Sequence, residues 1–101
     1  MGYAVCIIKG VWEGEDPDKT ATVKNELKQL ICAASGVPAS KIMVFYDQNI
    51  RFNDKEGVYC EIKWPRRTIP QFQPKRLRGV LSSLFKRDFR AKRVCIDFVI
   101  P

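Results

Sequence analysis

The chain has 101 residues, 46% of them apolar, carries a formal net charge of +7 and contains no histidine. This length supports one hydrophobic core, and no apolar run approaches the ~18 residues that cross a bilayer, so a soluble, single-domain protein without membrane attachment is expected. Lack of histidine excludes Ser-His-Asp and Cys-His nucleophiles, and the cysteines show no spacing suited to zinc.

Tyr3 to Lys9 reads YAVCIIK, apolar on both faces, which predicts a central strand covered front and back. Gly10 to Glu15 is a loop carrying Trp12. Asp16-Pro17 then opens a helix, with Asp16 as N-cap, Pro17 in the first helical position and Asp18 at the positive end. Val23, Leu27, Leu30, Ile31 and Ala34 form one stripe facing the sheet, and Gly36 is a natural stop, so the helix is predicted from Pro17 to Ser35. Pro38-Ala39-Ser40 turns the chain into a second strand, Ile42 to Tyr46, also apolar on both faces. Strand, amphipathic helix and strand in this order predict a right-handed crossover unit.

Gln48 to Glu56 is a polar loop. From Gly57 the apolar residues Val58, Cys60, Ile62 and Trp64 alternate with Glu61 and Lys63, as in a strand with one buried and one mixed face. Pro65 ends the ladder, which predicts Trp64 at the sheet edge with Arg66 and Arg67 immediately beyond it. Thr68 to Gln73 is a loop, and Pro74 begins a second helix with the stripe Leu77, Val80, Leu81, Leu84 and Phe85. Its other positions give a basic outer face: Lys75, Arg76, Arg78, Lys86 and Arg87. Lys92 to Ile100 closes the chain as a strand, with Val94, Ile96, Phe98 and Ile100 inward and Asp97 outward.

The order β-α-β-β-α-β predicts an α+β, two-layer sandwich: a four-stranded mixed sheet with two helices on one face, built from similar halves at about 1–47 and 57–101. Two helices cover only one side, yet the first two strands are apolar on both. Each Å² of apolar surface left in water forgoes roughly 25 cal/mol, so the second side is expected to be covered by further copies of the chain.

Charge and cysteines bear on partners and compartment. Residues 1–62 hold seven basic and nine acidic side chains, a balance of −2, whereas residues 63–101 hold eleven and two, a balance of +9. Such a field attracts nucleic acid, an acidic protein or a carboxylate metabolite. A nucleic-acid-binding module with ferredoxin-like element order would use Lys75, Arg76, Arg78, Lys86, Arg87 and Arg90 on phosphates, with Trp64 or Tyr59 as a stacking platform. A third reading is an assembly subunit without small-molecule chemistry. Cys6, Cys32, Cys60 and Cys95 each lie in an apolar segment and are expected to be buried, reduced thiols, in keeping with a cytoplasmic protein.

The two strand-helix-strand halves, the helix ending Ala34-Ser35-Gly36-Val37-Pro38-Ala39, and the third strand closing at Trp64 before Arg66-Arg67 resemble the tautomerase superfamily, which includes 4-oxalocrotonate tautomerase and macrophage migration inhibitory factor. The resemblance implies a homotrimer whose sheets wrap into a barrel with helices outside, a small carboxylate or enol pocket, and no cofactor. Enzymes of that superfamily use an N-terminal proline as general base in keto-enol tautomerisation. An amine in an apolar pocket has a lowered pKa, and neighbouring cations stabilise the enolate. Carried onto this chain, the resemblance places the catalytic position at Gly2, following Met1, and substrate contacts at Arg51, Trp64, Arg66 and Arg67. Two positions depart from the pattern: Gly2 stands where the proline is expected, and Val37 stands where the inhibitory-factor branch has lysine.

Overall fold

The computed structural model describes residues 2–12, 14–47, 57–65 and 73–99. Strand β1 (Ala4–Lys9) leads to helix α1 (Pro17–Ser35), a 3-10 turn at Ala39–Lys41 and strand β2 (Ile42–Asp47). Strand β3 (Gly57–Lys63), helix α2 (Pro74–Phe89) and strand β4 (Arg93–Val99) follow. The sequence dictates the ends of α1: the Asp16 carboxylate accepts from the Asp18 amide at 2.9 Å, and Gly36 leaves the helix with φ 76. A side chain at Gly36 would meet nothing within 4 Å, so the backbone alone demands glycine there.

The sheet order is β2-β1-β3-β4. Within each half the strands are parallel and adjacent, β1 with β2 and β3 with β4, and the halves join through the antiparallel β1–β3 pair. In a ferredoxin-like split βαβ unit another strand lies between the parallel pair. Here Ala4 faces Ile42 directly and Lys9 faces Asp47, so the ferredoxin-like alternative for this fold is corrected.

Residue parity divides the sheet. Ala4, Cys6 and Ile8, Ile42 and Val44, Val58, Cys60 and Ile62, and Ile96 are buried beneath the helices, which contribute Val23, Leu27, Ile31, Leu77, Leu81, Leu84 and Phe85. Leu30 and Ala34 flank this core, and the fourth fully turned position of α1 is Ser35, whose hydroxyl donates to the Ile31 carbonyl at 2.5 Å. Val80 is 39% exposed and lies outside the α2 stripe, which corrects its predicted core position. At 100° per residue it points about 40° beyond Leu84, the nearest edge of the buried arc.

The opposite face is open, with rows that follow from the strand registers. Met43, Val5, Lys63 and Val99 form one row, Phe45, Ile7, Glu61 and Asp97 the next, and Asp47, Lys9, Tyr59 and Cys95 the third. Its β2–β1 half is apolar in the first two rows and charged in the third, and its β3–β4 half is mostly polar. Met43 and Phe45 remain 39% and 47% exposed, because both helices lie on the other side. No helix among the described residues is long and apolar enough to cross a membrane.

Candidate functional site

Antiparallel pairing brings the start of β1 and the end of β3 to one end of the sheet, with Val5 opposite Lys63. Beyond that pair the chain start folds onto Pro65: a Cβ built on Gly2 would lie 3.5 Å from Pro65 Cβ and 3.7 Å from its carbonyl oxygen. The Trp64 amide donates to the Val99 carbonyl at 3.0 Å, extending the β3–β4 ladder one residue past the strand. Gly2 and Pro65 are therefore held together by the two innermost strands.

Trp64 does not form an exposed edge at this end. It is 3% exposed, and its ring centre lies 6.2 Å from that of Phe98. Its parity with Cys60 and Ile62 directs the indole toward the helices, so it supports this end of the sheet from the core side and has no open face for a stacked base. Met1, Arg51, Arg66 and Arg67 lie outside the described residues, so of the five positions implied by the resemblance the structure places Gly2 and Trp64. Arg66 and Arg67 follow Pro65 directly in the chain.

The six cations proposed for nucleic acid fall into two groups. Lys75, Arg76, Lys86 and Arg90 are exposed, Arg90 as the left-handed cap of α2 at φ 54. Arg78 and Arg87 are engaged within the chain. The Arg78 guanidinium lies 5.0 Å over the Phe98 ring, and its Nε donates to the Ile96 carbonyl at 3.4 Å. Arg87 Nη2 donates to Glu26 at 2.9 Å and to Asp88 at 3.0 Å, and these carboxylates, Asp88 foremost, push the guanidinium pKa above its ordinary value. These residues line a cleft of about 470 Å³ between the first turns of α1 and the end of α2, with Asp16, Asp18, Lys19 and Thr22 on its α1 wall. The cleft was invisible in sequence because Glu26 and Arg87 are 61 residues apart. Among the described residues no cluster of His, Cys, Asp or Glu could hold a metal ion.

Three further groups are fixed away from the chain start. Cys6 and Cys60 touch across the β1–β3 seam with sulfurs 3.4 Å apart, and the hydrogen bond to Cys6 together with burial pushes the Cys60 thiol well up, so it is no nucleophile. Tyr46 donates to the Thr20 carbonyl at 2.8 Å, and burial raises its phenol pKa. On the open face Tyr59 donates to Asp97 at 2.6 Å, which pushes its phenol up to about 12.

Neither family models nor curated protein sequences match this chain. Solved structures do: the chain has the tautomerase and macrophage migration inhibitory factor superfamily fold. A fused, wild-type 4-OT asymmetric trimer superposes with a TM-score of 0.75 at 18% identity, covering 95% of this chain and 86% of that one. A member of the cis-3-chloroacrylic acid dehalogenase family gives 0.74 at 14% identity, with 96% and 74% covered. The macrophage migration inhibitory factor of Toxoplasma gondii gives 0.73 at 19% identity, with 96% and 89% covered.

Proposed function

We propose that the protein is a cytoplasmic, single-domain homotrimer of tautomerase type that binds a small carboxylate or enol anion where each chain start meets the end of β3. The observation that carries this reading is the contact of Gly2 with Pro65, because it sets the first residues of the chain beside the segment that continues into Arg66 and Arg67. Amine or amide donors and guanidinium groups are the chemistry that suits a planar carboxylate. The trimer is supported by the apolar rows of Val5, Ile7, Met43 and Phe45 and by the trimeric 4-OT structure of the same fold. Proline is the base in the superfamily's enzymes and Gly2 replaces it, so turnover is slow and binding is the main property.

The test uses phenylpyruvate and a 2-hydroxymuconate-type enol as probes, with wild type beside Gly2→Pro and both N-termini defined by mass spectrometry. A Cβ at position 2 keeps ordinary van der Waals spacing to Pro65. Both proteins are expected to be protected against thermal unfolding by the probes. Gly2→Pro is expected to accelerate keto-enol conversion by about a hundredfold or more, the usual contribution of a positioned general base. Absence of protection and of turnover in both proteins refutes the reading.

A further inference from the structure

The outward face of α2 carries cations and no acid. Leu77, Leu81, Leu84 and Phe85 fix its inner side, and the helical step then turns Lys75, Arg76, Gly79, Ser83 and Lys86 outward, with Arg90 following at the C-terminal cap. The flanking cations Arg78 and Arg87 are taken by Phe98, Glu26 and Asp88, and Asp88 is the only carboxylate of the helix. Two cation pairs remain, Lys75 with Arg76 and Lys86 with Arg90, their midpoints about 19 Å apart along the axis at 1.5 Å per residue. Between them Gly79 and Ser83 add almost no bulk. Folding does not account for the first pair, since cations in the first turn oppose the positive helix end and the Gln73 side chain makes no capping hydrogen bond.

We propose that this ridge is a second binding surface, for the phosphate backbone of a double-stranded nucleic acid, used without base reading. The two cation pairs stand far enough apart to meet phosphates on both sides of a major groove about 12 Å wide. Gly79 and Ser83 are too short to reach base edges, and the outward face has no aromatic ring for an unpaired base, so paired strands fit better than single ones. The surface is a different part of the chain from the carboxylate site at Gly2 and stands or falls independently of it.

Fluorescence anisotropy of the full chain with labelled duplexes of about 20 base pairs, in two unrelated sequences, tests the proposal. Four phosphate contacts predict sequence-independent binding that weakens about a hundredfold between roughly 50 and 200 mM salt. In Lys75→Gln/Lys86→Gln that loss should shrink to about tenfold, with circular dichroism and carboxylate protection unchanged. Arg78→Gln/Arg87→Gln should keep the wild-type salt slope. No binding at the low salt, tighter binding of a single strand, undiminished binding by the Lys75/Lys86 double variant, or equal competition by polyglutamate of matched charge would each overturn it.

Discussion

Replacing Trp64 by alanine separates a core support from a surface ligand contact. A Trp ring buries about 200 Å², which at ~25 cal/mol per Å² is about 5 kcal/mol of burial. Trp64 is 3% exposed and packs on Phe98, so Trp64→Ala is expected to lose about 3–5 kcal/mol after partial relaxation around the void. For a domain of about 100 residues this lowers the thermal midpoint by more than about 12 °C. Circular dichroism melts at equal protein concentration provide the assay, since a self-associating chain melts in a concentration-dependent way. Trp64→Phe, which keeps a ring against Phe98, should lose less than half as much. An unchanged midpoint in Trp64→Ala, accompanied by loss of carboxylate binding, would place the indole at the surface and refute the burial argument.

Gly36→Ala should destabilise by about 1 kcal/mol in urea titrations through left-handed strain alone, since φ is 76 and no atom lies within reach of the new methyl. The Tyr59 phenol bonds Asp97 in its protonated form, and its folded pKa of about 12 lies above the ordinary 10.0. Its contribution is therefore complete below pH 10.0 and lost as pH rises toward 12; Tyr59→Phe should flatten that part of a stability-versus-pH curve. In a Cys32→Ser/Cys95→Ser background, Cys6 and Cys60 should stay unreactive toward a thiol reagent until the chain unfolds, and labelling of Cys60 in the folded state would show that the β1–β3 seam opens.

The elements were legible because local chemistry and periodicity agreed. Asp16-Pro17 and Gly36 fix α1 at Pro17–Ser35 as expected, and β2 extends one residue past the predicted strand to Asp47. The apolar character of YAVCIIK and IMVFY on both faces agrees with the second apolar surface that Val5, Ile7, Met43 and Phe45 form on the side away from the helices. Val80 was misplaced because an apolar residue beside Leu81 looks like part of the stripe although its angle carries it outward. Trp64 shared its parity with Cys60 and Ile62, and that signal outranked the proline and arginines that suggested an exposed edge. Long-range partners had no local signature: Arg87 with Glu26, Arg78 with Phe98, and Cys6 with Cys60 are set by how the helices and strands stack.

The account depends most on what hides the open face of the sheet. Light scattering coupled to size-exclusion chromatography at about 10 µM, in the micromolar range where specific self-association is populated, measures this directly. A particle of three chain masses, converted to smaller species by Phe45→Asp on the apolar rows, is the predicted result. A single-chain mass for the wild-type protein, with Phe45→Asp behaving identically, would contradict it.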